Sequence, residues 1–119
     1  MYPMPRREME ETIRKRAFRG LNVTIPYKTA VLPLCDDISP AAREAGSANT
    51  LVMRGGRLYA DNTDLDGMAY MLRRANISLA GKKTVILGSG GTSLTAQAVC
   101  RDRKAAAWIV VSRSGPVTY

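Results

Sequence analysis

A glycine-rich loop between two apolar stretches constrains the fold of this chain most strongly. Thr84-Val-Ile-Leu87 is short and mostly apolar, as a buried parallel strand should be, and the loop Gly88-Ser-Gly-Gly-Thr-Ser93 follows it directly. A helix is predicted over residues 92–104, and Trp108-Ile-Val-Val111 has the composition of a second buried strand. This order is that of a βαβ unit, so the sequence predicts an α/β fold with the first βαβ of a Rossmann-like, doubly wound sheet.

The loop has the residue types that a dinucleotide-binding turn needs. Gly88 permits a tight turn, Gly90 lets the backbone approach a pyrophosphate, and the small Ser93 permits close packing of helix on strand. The helix that follows offers free N–H groups to phosphate. A tight turn without a ligand is the alternative, whereas a P-loop is excluded because no lysine precedes Thr92. The predicted cofactor-binding residues of the loop are Gly88, Ser89, Gly90, Gly91, Thr92 and Ser93.

The end of the second strand indicates which dinucleotide is bound. An NAD site places Asp or Glu there to hold the ribose hydroxyls, but this chain has Ser112, Arg113 and Ser114. A guanidinium matches the geometry of a phosphate, so Arg113 could pair with the 2′-phosphate of NADP. The sequence therefore favours NADP as the cofactor, with an exposed surface arginine as the alternative interpretation of Arg113.

The first half of the chain alternates helices and short strands. Leu21-Asn-Val-Thr-Ile25 predicts a strand with Leu21, Val23 and Ile25 on one face, ended by Pro26 and followed by Lys28. Helices are predicted over residues 7–18, from Ser39-Pro40 to Gly46, and from a cap at Asp64 or its neighbour to about Asn76. A hairpin is predicted for residues 50–53 and 58–60 around Gly55-Gly56.

Composition narrows the possible chemistry. The chain has no histidine, so acid–base steps must use Lys, Asp, Glu, Tyr or Cys. The net charge of +8 favours an anionic partner, but the basic residues are scattered and aromatics make up only 6%, so a phosphorylated ligand is favoured over nucleic acid. Cys35 and Cys100 are far apart, and no stretch of the sequence is apolar for long enough to span a membrane. We therefore expect a cytoplasmic protein without metal, nucleic-acid or membrane partners.

Four segments taken together resemble one enzyme family. The segments are Gly20-Leu-Asn-Val-Thr-Ile-Pro-Tyr-Lys28, Ala48-Asn-Thr50, Asn62-Thr-Asp64 and Gly88-Ser-Gly-Gly-Thr92. Their sequence and order closely resemble shikimate dehydrogenase over about residues 8–119. The first segment with the later Asn-Thr-Asp is highly specific, whereas the glycine loop alone is not.

The resemblance implies an activity and a set of roles. Members of the family interconvert shikimate and 3-dehydroshikimate with NADP(H), in the pathway to chorismate and the aromatic amino acids. Lys28 and Asp64 match the family's catalytic pair. Asn22, Thr24, Lys28, Asn49 and Asp64 match positions that bind the substrate.

The resemblance also implies an organisation into parts. It predicts part of a substrate-binding domain over residues 1–66, a connecting helix and turn over 67–81, and part of an NADP-binding domain over 82–119. Family members are more than twice as long, so we expect a fragment that is inactive alone, exposes strand edges and is a possible homo-oligomer. The alternatives are a quinate/shikimate dehydrogenase that uses NAD and a non-catalytic remnant that binds a nucleotide or a partner protein.

Overall fold

The chain begins with an amphipathic helix that covers one face of a small sheet. A computed structural model describes residues 4–113. Helix α1, Arg6–Lys15, buries Met9 and Ile13, which recur one turn apart on its inner face. The helix was expected to continue to residue 18, but it ends at Arg16, whose backbone is left-handed (φ 51°). The guanidinium of Arg16 donates to both carboxylate oxygens of Asp36.

The first sheet has four strands in the order β1-β3-β4-β2. Its strands are β1 (Gly20–Asn22), β2 (Asp37–Ile38), β3 (Thr50–Arg54) and β4 (Arg57–Asp61). The last two form the predicted hairpin, β1 pairs with β3 in antiparallel register, and β2 lies parallel to β4. Between β1 and β2 the chain makes a short 3-10 helix, Leu32–Leu34.

The first strand is shorter than the predicted strand over residues 21–25, because it ends at Asn22. β1 stops at Asn22, which pairs with Thr50, the first residue of β3, so no partner strand remains beyond it. The backbone then turns, and the N–H of Tyr27 donates to the carbonyl of Thr24 at 2.9 Å. Ile25 consequently does not share the inner face of Leu21 and Val23, and it is 70% exposed.

The core lies between this sheet and α1. Leu51 of β3 and Leu58 of β4 are fully buried, as is Val31 ahead of the 3-10 helix. They pack with Met9 and Ile13 of α1 in one apolar cluster. Burying such side chains stabilises the fold by about 1.5–3 kcal/mol each before entropy is counted, so this cluster holds the first sheet together.

The predicted βαβ unit is confirmed in the second half of the described chain. Strands β5 (Lys83–Leu87) and β6 (Ala107–Val111) are parallel, and helix α4 (Gly91–Asp102) connects them. Ile86 is buried on the α4 side of this sheet, whereas Val85, Leu87 and Ile109 are at least half exposed. Within the described part of the chain, one face of the second sheet is therefore open and apolar.

Two further helices pack against α4, and the second of them connects the two sheets. Helix α2 (Pro40–Ala45) begins at the predicted cap, where the N–H of Ala42 donates to Ser39 Oγ at 3.0 Å, and ends at Gly46. Helix α3 (Thr63–Arg74) packs against α4. No helix within residues 4–113 combines the length and hydropathy that crossing a membrane requires. Over the same residues, no three His, Cys, Asp or Glu side chains are grouped as a metal ion would need.

Candidate active site

Lys28 and Asp64 form an ion pair between two separate segments of the chain. The Nζ of Lys28 donates to Oδ2 of Asp64 at 2.6 Å, although the residues are 36 positions apart. The Lys28 side chain is only 13% exposed and that of Asp64 is 32% exposed. The structure thus brings together the two residues that were predicted to be catalytic, in a partly buried place where their attraction is screened less than at the surface.

Lys28 is held by its backbone and by its aliphatic stem. Its carbonyl accepts a hydrogen bond from the N–H of Ala48 at 2.8 Å. Its stem lies against Gly91, where an added Cβ would be 3.5 Å from both Cβ and Cδ of Lys28. Gly91 is the first residue of α4, so the lysine of the first half of the chain touches the predicted dinucleotide loop.

Asp64 is the second residue of α3, and its position depends on the cap of that helix. The cap is Asn62 rather than Asp64, because Asn62 Oδ1 accepts from the N–H of Asp64 at 3.0 Å and of Leu65 at 3.2 Å. This leaves the Asp64 carboxylate free of capping and available to Lys28. The interpretation of Asp64 as a possible cap was therefore wrong.

Asn62 belongs to the Asn62-Thr-Asp64 motif, but no role was predicted for it, and Ser47 was not among the predicted site residues. Both residues are buried, with Asn62 only 1% exposed and Ser47 fully covered. The available signal was Asn62 itself, since Asn directly before a helix is among the strongest N-cap residues. Nothing in the sequence marked Ser47 as its partner.

Asn49 lies beside the pair and bonds the first turn of α3. Its Oδ1 accepts from the N–H of Thr63 at 3.1 Å, and its Nδ2 donates to Thr63 Oγ1 at 2.9 Å. Asn49 was predicted to bind substrate. Its side chain is hydrogen-bonded to Thr63, the residue directly before Asp64.

Asn22 and Thr24 are both exposed, and no side-chain hydrogen bond within residues 4–113 joins either to Lys28 or Asp64. They line a groove of about 410 Å³ beside α1. Lys28 lines a different cavity of about 180 Å³ with Ile25, Gly90 and Gly91. The structure therefore unites Lys28, Asp64 and Asn49 more closely than it does the two residues of the first strand segment.

The glycine loop has room and donors for a phosphate-bearing ligand. Gly88 has a φ of 108°, a conformation that favours glycine, and nothing lies within 4 Å of a Cβ built at Gly88 or Gly90. Within residues 4–113 no side chain caps α4, and the N-terminus of this helix borders an open space. The cavity at this point measures about 330 Å³. Its lining includes Ile25, Leu87, Gly88, Gly90, Gly91, Thr92 and Ser93. These observations fit a dinucleotide pyrophosphate, and the small, buried Ser93 lies where close packing of α4 was predicted.

The residues after β6 lie next to the loop. The N–H of Gly88 donates to the carbonyl of Val111 at 2.8 Å, which brings the start of the loop to the end of β6. Ser112 is buried, and its Oγ has no hydrogen-bond partner within residues 4–113. Arg113 and Ser89 are exposed, and Ser114 lies outside the described residues. An exposed guanidinium at this position is free to meet a phosphate group.

Together these groups have the chemistry of an alcohol–carbonyl conversion. An amine and a carboxylate 2.6 Å apart can accept or donate the proton of a substrate hydroxyl. The adjoining glycine loop can hold a dinucleotide, the class of cofactor that exchanges a hydride with carbon.

Comparison with known proteins agrees with this geometry. The family model for the shikimate dehydrogenase substrate-binding domain matches residues 5–51. The NADP(+) shikimate dehydrogenase of Symbiobacterium thermophilum is 41% identical over 95 residues, which are 77% of this chain and 32% of that protein. The corresponding enzyme of Halothermothrix orenii is 41% identical over 105 residues, covering 87% and 36%.

Solved structures give the same result. Shikimate dehydrogenase 1 from Peptoclostridium difficile superposes with a TM-score of 0.85 at 32% identity, covering 99% of this chain and 47% of that one. The shikimate 5-dehydrogenase of Thermus thermophilus, solved with NADP(H) and shikimate, gives 0.79 at 34% identity, covering 93% and 42%. The chain spans between 32% and 36% of the lengths of the two curated relatives named above. The chain therefore resembles the shikimate dehydrogenases over nearly all of its own length, and the matched part includes the Lys28–Asp64 pair and the glycine loop.

Proposed function

We propose that this chain supplies the reactive pair and the nucleotide loop for NADP-dependent interconversion of shikimate and 3-dehydroshikimate. One observation supports the proposal most directly, namely that Lys28 touches both halves of the site. Its Nζ lies 2.6 Å from Asp64 and its stem lies on Gly91 of the loop. A substrate hydroxyl beside Lys28 would therefore be next to a bound dinucleotide.

The reaction requires the loss of two hydrogens from one carbinol. The hydroxyl proton leaves from oxygen and a hydride leaves from carbon, so that the C–O single bond becomes a carbonyl. Lys28 is placed either to take the proton or to stabilise the developing alkoxide as a cation. Asp64 orients the amine and accepts a hydrogen bond from the substrate hydroxyl. Bound NADP⁺ supplies the acceptor for the hydride.

The other site residues have roles in binding. We propose that Asn22, Thr24 and Asn49 bind hydroxyl or carboxylate groups of the substrate. The loop residues Gly88 to Ser93 hold the pyrophosphate, and Ser112, Arg113 and Ser114 contact the 2′-phosphate. The division into residues 1–66, 67–81 and 82–119 follows the same roles. A cytoplasmic location, a possible homo-oligomer and the absence of nucleic-acid partners belong to this proposal.

The test measures ligand binding, because we expect the 119-residue chain to bind without sustained turnover. Shikimate and NADP⁺ are titrated separately into ¹⁵N-labelled chain, with Lys28→Met as the matched variant, since methionine keeps the aliphatic stem on Gly91. We expect saturable shifts at Asp64 and Asn49 with shikimate, and at Gly90 and Gly91 with NADP⁺. Lys28→Met should weaken shikimate binding about tenfold, a loss of about 1.4 kcal/mol, and leave NADP⁺ affinity unchanged.

Nucleotide preference is measured on the same chain. Replacing Arg113 by Asp should lower the preference for NADP⁺ over NAD⁺ about tenfold, because a carboxylate repels the 2′-phosphate. No change in preference would favour the NAD-using quinate/shikimate enzyme. Nucleotide binding without any response to shikimate would refute the proposed activity and favour a non-catalytic remnant.

A further inference from the structure

We propose that Asn62, with its partner Ser47, is a positioning residue that sets the geometry of the Lys28–Asp64 pair. The catalytic meaning of the pair rests on the function proposed above, but the positioning role concerns the geometry alone. No hydrogen bond within residues 4–113 joins Asn62 or Ser47 to Lys28 Nζ, and their hydrogen-bonded connection to the pair passes through the backbone of Asp64 and Ala48.

The side chain of Asn62 uses both ends of its amide. Its Oδ1 accepts from the N–H groups of Asp64 and Leu65, which fixes the first turn of α3. Its Nδ2 donates to the carbonyl of Ser47 at 2.8 Å and to Ser47 Oγ at 3.0 Å. Asn62 therefore joins the helix that carries Asp64 to the segment that contains Ser47.

That segment is also bonded to Lys28. Ala48, the neighbour of Ser47, donates its N–H to the carbonyl of Lys28 at 2.8 Å. A continuous path then runs from the Lys28 backbone through Ala48 and Ser47 to the Asn62 amide, and from there to the N–H of Asp64. Lys28 is therefore bonded directly to the backbone of residues 47 and 48, and Asp64 is bonded to it through Asn62.

Because the path is buried, we expect it to be rigid. A simple capping role does not explain why both ends of the Asn62 amide are bonded. A helix cap at the surface needs only an acceptor, since water can satisfy the rest of the side chain. Asn62 is 1% exposed and Ser47 fully buried, so unpaired donors here would be costly. Each polar atom of the Asn62 side chain has a partner, which favours one arrangement of the first turn of α3 over all others.

The test compares two substitutions that separate capping from positioning. Asn62→Ser keeps an oxygen of nearly equal capping preference but loses the amide that donates to Ser47. Asn62→Ala loses both functions. The control is Ile13→Val in α1, which lowers stability by removing one buried methylene while leaving every hydrogen bond of this path in place.

The readout is solvent exchange of the Lys28 ammonium protons, followed by ¹⁵N NMR of lysine side chains, beside thermal unfolding of each variant. We expect exchange to rise about tenfold in Asn62→Ser, with a loss of stability no larger than that of Ile13→Val. Ile13→Val should leave the exchange rate unchanged. If Asn62→Ala does not fold, Ser47→Ala, which removes only one of the two acceptors, gives the same comparison with a smaller effect.

Unchanged ammonium exchange in a folded Asn62→Ser variant would overturn the positioning role. Equal increases in Asn62→Ser and Ile13→Val would do the same, because they would show a general loss of rigidity. These outcomes are independent of the activity. The wild-type chain could fail to bind shikimate while its ion pair still depends on Asn62. It could also bind shikimate while the ion pair is independent of Asn62, and the two tests distinguish these cases.

Discussion

Asp36 shows how a single carboxylate connects distant parts of the first sheet. The guanidinium of Arg16 donates to both of its oxygens, at 2.7 and 2.9 Å, and the N–H of Leu58 donates to Oδ2 at 2.7 Å. The bond from Arg16 is the main cause that holds the pKa of Asp36 below its ordinary value, and the Leu58 N–H adds to it. The end of α1 is thereby tied to β4 through one side chain.

This depressed pKa predicts the direction of acid sensitivity. A carboxyl with a lower pKa in the folded state stabilises the fold above its unfolded pKa of about 3.9, and the contribution is lost as pH falls through the folded pKa. Asp36→Asn should therefore lower the urea midpoint at neutral pH and reduce its further decrease below about pH 4. Glu44→Gln, on the exposed side of α2, is the control and should change neither. Equal acid dependence of wild type and Asp36→Asn would contradict the prediction.

At the scale of elements, replacing a glycine by alanine is expected to have opposite effects on stability inside a helix and at its end. Gly67 lies within α3 and Gly46 ends α2, and a Cβ at either would meet nothing within 4 Å. Only Gly46 has a positive φ, of 60°. Gly67→Ala should raise stability by about 0.5–1 kcal/mol, since alanine loses less entropy in a helix. Gly46→Ala should lower stability by about 1–2 kcal/mol because of its left-handed backbone.

Thermal unfolding of the two variants checks this pair of predictions. Steric effects are absent at both sites, so the opposite signs arise from backbone conformation alone. Destabilisation by Gly67→Ala, or stabilisation by Gly46→Ala, would contradict the prediction.

The sequence predicted those helices and strands whose ends are marked by capping residues, proline or glycine. Ser39-Pro40 and Gly46 marked both ends of α2, and the apolar runs around the glycine loop predicted β5 and β6. The end of β1 was not predictable from alternation, since it depends on where β3 begins. β2 was missed because two residues cannot show a period. The proximity of Lys28 and Asp64 came from the resemblance, because their spacing of 36 positions carries no geometric information by itself.

At the scale of the molecule, residues 4–113 cover the second sheet on one side only. Val85, Leu87 and Ile109 lie exposed on the face opposite α4, with exposed fractions of 58%, 79% and 50%. Parallel sheets are ordinarily covered on both faces, and exposed apolar patches commonly mark contact surfaces. We expect the chain to associate with itself as its concentration rises.

The double change Val85→Thr and Ile109→Thr tests this expectation. Threonine keeps the β-branch of both side chains but makes the face polar, so sedimentation should show less association with little change in unfolding temperature. Ile86→Thr, on the buried side, should instead lower the unfolding temperature and is the control. Association that persists unchanged in the double variant would place the contact elsewhere.

The contact between Lys28 and Gly91 has a consequence for how such a protein can be altered. Because Gly91 of the proposed nucleotide loop also packs on the aliphatic stem of Lys28, a side chain larger than alanine at position 91 would press on Lys28 and narrow the cavity at the loop. Under the proposed function, a substitution in this loop would therefore affect nucleotide binding and the position of Lys28 together. Engineering of one without the other has to begin at Arg113, which is exposed and lies on a different element. Natural variation that swaps cofactors is expected to follow the same route, leaving position 91 small.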